Sequence, residues 1–294
     1  MFPNYLTNVK FIYILICDTL LLYEGSNMNY RPCPICDSSI NEPHIFSDLN
    51  WHVRKCSKCS MIFLANPPDQ SSLSEEFAWE QTRDAERYKR RKNRKLYYFF
   101  SDGLKKLKRF SRRGKRKEIV LINKLKSGQG SLLDIGCAEG TTLSHLDPKK
   151  WTLYGIEPSP SLAARANEIC SASGGYAVQA TAVDGMNRLN ANSFDVINMR
   201  SFLEHDVYAE KTLIASFRAL KDDGLVLIKV PNANCWNAKL RGFGWPGVRH
   251  PDHVNYFTPS TLKEMVLKAG YTKIYFPTKW RLPSSDNMWL AAYK

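Results

Sequence analysis

The sequence predicts an α/β fold, a mostly parallel sheet with helices on both faces, preceded by a small cysteine-bearing module and a basic helical linker. Three observations predict it. Apolar strand-like runs alternate with helix-like stretches from Ser131 onward. The first run ends in a glycine-rich turn and the second in an acidic residue, Glu157. Two C-x-x-C pairs, Cys33/Cys36 and Cys56/Cys59, stand upstream. A chain of 294 residues can bury a sizeable core beside a small satellite. With 44% apolar and 24% charged residues, it is not a disordered, collagen-like or multi-spanning membrane protein.

The N-terminal stretch Val9–Tyr23 is apolar but carries Lys10 and Asp18. It is shorter than the roughly 20 residues a spanning helix needs, so no transmembrane span is expected. No small-residue cleavage site precedes Glu24, which argues against a secretory leader. Residues 1–27 are expected to be a packed or dispensable extension; the sharper hypothesis is that translation starts at Met28, where the cysteine module begins, and the protein is expected in the cytoplasm.

Residues 28–66 form the cysteine module. Nineteen residues separate Cys36 from Cys56, inside the spacing that lets two tight turns offer four thiolates to one tetrahedral zinc. A module this small could not bury enough surface to fold without such a ligand. The expectation is one structural zinc on Cys33, Cys36, Cys56 and Cys59, against the alternatives of two redox pairs or a disulfide. Redox C-x-x-C pairs open helices, whereas Pro32 and Pro34 frame the first pair here.

Residues 67–126 read as a basic helical linker. The net charge of +14 sits in one belt, since residues 83–117 hold 17 basic and three acidic side chains. The remainder of the chain is neutral. Such a belt is expected to meet a polyanion, whether RNA, anionic lipid or a nucleotide- or phosphate-bearing substrate, unless it is a solvated helix face.

From residue 127 the strand–helix alternation begins. Strands are expected at SLLDIG (131–136), WTLYGIE (151–157), YAVQA (176–180), FDVINMR (194–200), LVLIKV (225–230), TKIYFPT (272–278) and NMWLAAY (287–293). Helices are expected after the first turn, over 160–172 with Ser159 as N-cap and Pro160 in its first turn, over 213–220, and from Thr258 to Gly270. The 231–257 segment shows no periodicity and carries Trp236, Phe243, Trp245, His250, His253, Tyr256 and Phe257. It is expected to be a lid or binding loop whose aromatic faces could stack on a sugar ring or base.

The turn LLDIGCAEG (132–140) carries the sharpest signal. Gly136 and Gly140 permit a tight turn and close approach of backbone to a ligand, and Glu157 stands where an acid can accept both hydroxyls of a ribose. Asp134 and Glu139 would repel a pyrophosphate but suit a cofactor with an amino group and a sulfonium.

These motifs, with LYGIEPSPS, FDVINMRSFLEH, LKDDGLVLIKVPN and HPDHVNYFTPSTLKEMVLKAGY, make residues 131–294 resemble a class I S-adenosylmethionine-dependent methyltransferase. CPICDSS and VRKCSKCSMIFLANPP are similar to the zinc-ribbon leader of a bacterial subgroup associated with sugar, polysaccharide or secondary-metabolite tailoring. The resemblance implies a Rossmann-like seven-stranded sheet with an antiparallel last strand and a cofactor crevice at the strand C-termini. It implies that Gly136, Cys137, Ala138 and Gly140 cradle the methionine portion of S-adenosylmethionine, Ala138 replacing the family's usual glycine. Asp134 would support the loop or the amino group, Glu157 would hold the ribose, and Asp184 would meet the adenine unless it merely starts a helix. By the same resemblance Glu204 and His205, with His253 as second candidate, would act on the acceptor. The implied activity is methyl transfer to a sugar, glycan or related small molecule. An RNA methyltransferase and a non-catalytic S-adenosylmethionine-binding scaffold are the alternatives.

Overall fold

The computed structural model describes residues 30–68, 116–126 and 129–294. The expected extension at 1–27 lies outside them, as does the basic belt at 83–117 apart from Arg116 and Lys117. The chain divides into Met1–Arg31 and Pro32–Lys294, and the second unit carries everything below.

The elements, in order, are β1 (Asn41–Pro43), β2 (Val53–Cys56), β3 (Ile62–Leu64), α1 (Lys117–Leu125), β4 (Gly130–Ile135), β5 (Trp151–Glu157), α2 (Pro160–Ser171), β6 (Ala177–Gln179), α3 (Ala182–Asn187), β7 (Phe194–Arg200), α4 (Ala209–Ala219), β8 (Leu220–Pro231), α5 (Trp236–Arg241), β9 (Asn255–Tyr256), α6 (Pro259–Lys268), β10 (Ile274–Tyr275) and β11 (Asn287–Tyr293). Seven strands form one sheet in the order β10-β11-β8-β7-β4-β5-β6. The pairs among β8, β7, β4, β5 and β6 are parallel, while β11 runs antiparallel to β8 and β10 antiparallel to β11. The fold is thus the Rossmann-like, mostly parallel seven-stranded sheet with an antiparallel strand that the sequence predicts.

This order places β4 between β5 and β7, so successive crossovers leave it in opposite directions. The crevice that such a reversal opens lies beyond the C-terminal ends of β4 and β7, where α/β sheets bind ligands. The central strands are apolar along their length because both faces are covered. Leu132, Leu153, Val196, Leu225 and Leu227 share one core with Trp151 and Trp289.

A second sheet, β1-β2-β3-β9, is antiparallel throughout. Its first three strands come from the cysteine module and its fourth from the 231–257 segment. Phe46, Val53, Ile62 and Leu64 pack in one cluster with Cys235, Trp245, Val254 and Tyr256. The Leu64 amide donates to the Val254 carbonyl and His250 Nε2 donates to the Phe46 carbonyl at 2.6 Å.

Three local expectations are corrected. The helix expected after the glycine turn is a 3₁₀ turn, Leu143–His145. Pro148 lies eight residues past Gly140 and disfavours helical geometry at Asp147, so no α-helix has room. The aperiodic 231–257 segment contains α5, a 3₁₀ turn at Gly242–Gly244 and β9, because it docks on the module. The strand expected at 272–278 shrinks to Ile274–Tyr275, since Pro277 cannot donate to a ladder and a 3₁₀ turn follows at Lys279–Arg281.

Candidate active site

The turn after β4 enters the left-handed region three times, at Gly136 (φ 69°), Ala138 (φ 49°) and Gly140 (φ 77°). Gly140 needs its missing Cβ, which would meet Ile169 Cδ1 at 2.8 Å and the Ala166 backbone at 3.2 Å on α2. Ala138 holds the same region with a side chain, against the usual steric preference. What holds it is Glu157, whose Oε2 accepts the Ala138 amide at 2.9 Å while Oε1 accepts the Ser159 amide at 3.1 Å. Ser159 occupies the N-cap position of α2, but its hydroxyl makes no cap bond and meets Ser161 Oγ instead. The Cys137 thiol is buried against Gly155, so Cys137 can offer a ligand only its backbone.

Asp134 is 3% exposed and accepts a 2.7 Å hydrogen bond from Asn198 Nδ2 on β7. Burial pushes its carboxyl up to about 7, with Asn198 and Arg200 opposing and Glu118 and Glu157 adding to the shift. Asn198 Oδ1 is buried without a hydrogen-bond partner. Glu118, from α1, is buried as well, with Arg200 Nε 3.3 Å away. Asp184 lies in the first turn of α3, where its carboxylate accepts from the Thr181 hydroxyl at 2.8 Å and its amide donates back to Thr181 Oγ1. The buried carboxylates Asp134, Glu157 and Glu118 make this end of the crevice acidic. That donor set fits a cationic amino-acid cofactor and would repel a pyrophosphate.

Across the crevice, the turn after β7 carries Glu204 and His205. Phe202 of this turn lies against Gly136, where a Cβ would meet Phe202 Cδ2 at 2.8 Å. The turn is stitched to the distant 252–255 stretch. The Glu204 carbonyl accepts the amides of Val254 and Asn255, and Asn255 Nδ2 donates to the carbonyls of Leu203 and Asp206. His205 and His253 are thereby brought together, their rings perpendicular with centroids 4.7 Å apart.

His205 Nδ1 donates to Asp252 Oδ1 at 2.7 Å, and Asp252 is in turn paired with Arg249. His253 Nδ1 donates to the Gly247 carbonyl at 2.8 Å. Glu204 is 2% exposed, its Oε1 lies 3.9 Å from His205 Nε2, and its Oε2 has no hydrogen-bond partner. Burial lowers the His205 pKa, but the Asp252 and Glu204 carboxylates outweigh it and hold His205 above the usual histidine value. Burial and the neighbouring His205 hold His253 well below that value. The two adjacent imidazoles are thus shifted in opposite directions by their surroundings.

The four module cysteines also converge. Cys33 Sγ lies 3.4 Å from Cys59 Sγ, and Cys36 Sγ 3.5 Å from Cys56 Sγ and 3.7 Å from Cys59 Sγ. None is disulfide-bonded. Tetrahedral zinc with bonds near 2.3 Å needs sulfur separations of about 3.8 Å, so the cluster fits the ion. The residue after each C-x-x-C pair, Asp37 (φ 54°) and Ser60 (φ 62°), turns left-handed and lets both thiols of a pair face inward.

Several aromatics of the 231–257 segment are packing residues. Trp245, Tyr256 and Phe257 are buried, whereas Trp236 and Phe243 remain exposed. Cys235 caps α5, its sulfur accepting the Ala238 amide. Sequence reasoning missed Asn198, Lys229, Arg249 and Asp252. Lys229 donates to Ser201 Oγ at 2.6 Å, and burial lowers its pKa despite Glu204. A lysine and an asparagine inside otherwise apolar strands were the signals available for Lys229 and Asn198.

No curated protein matches the chain. Among solved structures it is similar to an S-adenosylmethionine-dependent methyltransferase from Mesorhizobium loti, at 15% identity over 62% of this chain and 99% of that one, with a TM-score of 0.49. It is likewise similar to one from Archaeoglobus fulgidus, at 16% identity over 68% of this chain and 100% of that one, with a TM-score of 0.48. A family model described as a methyltransferase domain matches residues 85–275, well over half of the chain. With the glycine turn, the acid ending β5 and the seven-stranded order already in place, the chain belongs to the methyltransferase-domain family, whose fold implies S-adenosylmethionine as the cofactor.

Proposed function

We propose that the protein methylates a sugar, glycan or related small molecule, with His205 assisting an in-line displacement. The observation that carries this reading is the Asp252–His205 pair. It fixes the imidazole tautomer and leaves Nε2 free, one turn from the Phe202 contact with the cofactor loop. When bound, S-adenosylmethionine supplies a methyl carbon on a sulfonium. Gly136, Cys137, Ala138 and Gly140 would hold its methionine portion through backbone groups, Asp134 its cationic end, Glu157 the ribose and Asp184 the adenine side. His205 Nε2, with Glu204 and His253 beside it, would take the proton of an alcohol acceptor, and the cofactor would supply the methyl group to the acceptor oxygen as its methyl–sulfur bond breaks and the neutral thioether leaves. Holding acceptor and methyl group in line is the larger part of the work. The exposed faces of Trp236 and Phe243 on the neighbouring segment suit a sugar ring.

Cys33, Cys36, Cys56 and Cys59 would hold a structural zinc as the core of a zinc-ribbon-like module. Cys137, Cys170 and Cys235, unpaired outside the proposed zinc cluster, suit a reducing compartment, which supports a cytoplasmic setting. No helix among the described residues is long and apolar enough to cross a membrane. The belt at 83–117 is proposed on composition alone as a polyanion-binding segment.

Methyl-labelled S-adenosylmethionine, offered with separate pools of glycan and nucleotide-sugar extract, RNA, lipid and protein, tests the proposal. Label in the glycan or small-molecule pool, lost in His205→Ala, is the expected result. Label in RNA with steep salt dependence would overturn the acceptor class. Cofactor binding without label in any pool would point to a scaffold.

A further inference from the structure

We propose that Glu204, His205 and His253 bind one divalent transition-metal ion, distinct from the ion of the cysteine cluster. Each of the three offers a ligand atom, and these atoms lie within 4.8 Å of one another. Two imidazoles and one carboxylate form a donor set suited to zinc or iron(II) that leaves further coordination positions open.

The surroundings are those a metal site requires. A metal-ligating histidine holds its second ring nitrogen by a hydrogen bond that fixes the tautomer and aims the free nitrogen. Both histidines do so. His205 Nδ1 is held by Asp252, through Oδ1 at 2.7 Å and the carbonyl at 2.9 Å, and His253 Nδ1 by the Gly247 carbonyl. Nε2 is therefore the ligand atom on each ring. Asp252 is itself tied to Arg249.

Glu204 supplies an independent observation. Its side chain is almost wholly buried, yet Oε2 has no hydrogen-bond partner. A buried carboxylate oxygen without a hydrogen-bond partner is costly, and a bound cation removes the cost. At 3.9 Å, Glu204 Oε1 and His205 Nε2 are too far apart to hydrogen-bond. Metal bonds near 2.0–2.2 Å place two ligand atoms about 2.9–3.5 Å apart, so a small rotation closes the site. The nearby cations are occupied, Lys229 at Ser201 and Arg249 at Asp252.

The ion's presence does not depend on the proposed methyl transfer, but its role does. With the ion bound, His205 Nε2 is a ligand and no longer the proton acceptor; an open coordination position beside the cofactor loop would take the acceptor's oxygen and acidify its proton, which passes to water.

Metal content is measured on the purified full chain and on Glu204→Gln and His253→Ala, with circular dichroism and cofactor binding as folding controls. Each variant is expected to lose one equivalent of zinc, iron or manganese relative to wild type. Cobalt added to metal-free wild type serves as the second measurement. One equivalent should bring thiolate charge-transfer bands, and a second should add only weaker nitrogen–oxygen bands that Glu204→Gln abolishes. No loss in either folded variant, together with no second cobalt equivalent, overturns the proposal. If label transfer nevertheless persists and needs His205, the ion is refuted while the methyl-transfer reading stands. A bound ion with no label in any pool supports the site and refutes that reading.

Discussion

The two sides of the crevice are built in opposite ways. The side proposed to hold the cofactor, Asp134 to Ser159, is one short stretch of chain shaped by left-handed backbone at three positions and tied by Glu157 to its own amides. The side proposed for the acceptor gathers Glu204 and His205 after β7, Lys229 on β8, and Arg249, Asp252 and His253 from the segment docked on the cysteine module. One side is a local motif and the other a long-range assembly. The first should survive damage that destroys the second.

The largest effect is expected from the part furthest from the chemistry. Replacing Cys56 and Cys59 by serine should unfold the small sheet β1-β2-β3-β9, because on the proposed zinc such a module draws its folding energy from the metal. The segment bearing Arg249, Asp252 and His253 loses its support, since Leu64, Phe46 and Val254 form that contact. Methyl transfer should fall below detection while S-adenosylmethionine binding, followed by calorimetry, changes by less than about threefold, under 1 kcal/mol. Equal loss of both would show that the two sides fold as one.

Within the acceptor side, His205→Ala should lower kcat by about 10²- to 10⁴-fold, the range for removing a positioned acid–base group. Cofactor affinity should hold. Asp252→Asn should show a smaller fall of the same kind, because the imidazole remains but loses its fixed tautomer. A drop in affinity matching the drop in kcat would place His205 on the cofactor side instead.

The same division explains what was legible in the sequence. LLDIGCAEG and the acid 17 residues beyond Gly140 could be read because turn, strand and acid are neighbours along the chain. Seven strands were placed for the same reason, their apolar runs being local. The Asp252–His205 pair joins residues 47 positions apart. It is held by a docking of 231–257 on the module that no periodicity announces. His253 and Glu204 were named only through a family likeness. Arg249 and Asp252 were missed because an acid and a base in a loop carry no pattern of their own.

On the cofactor side, Asp134→Asn should weaken S-adenosylmethionine binding by about tenfold or more, as a buried charged contact contributes roughly 1.5–3 kcal/mol. The pH dependence sharpens the point. The folded carboxyl titrates at about 7, raised mainly by burial, against about 3.9 in an unfolded chain. Between these values the folded state holds a proton that the unfolded state has released, so this group makes stability fall as pH rises from about 4 to about 7. A cationic ligand favours the ionised form, so affinity should climb through the same upper limit. Both slopes should flatten in Asp134→Asn, as followed by thermal melts and binding titrations.

The smallest expected effect concerns Ala138, where the local motif departs from its own best residue. At φ 49° an alanine bears a steric cost that glycine escapes, about 1–2 kcal/mol. Glycine loses more chain entropy on folding, which returns part of that gain. Ala138→Gly should therefore raise stability by about 1 kcal/mol or less, a shift of a few degrees in Tm. Because the Glu157 bond to the residue-138 amide uses backbone alone, the turn itself should persist. Kcat should stay at the wild-type value, since the hydrogen bonds of this residue are made by its backbone. A loss of stability instead would mean that the methyl group packs well enough to offset its strained backbone, and that this alanine is a structural choice of the loop.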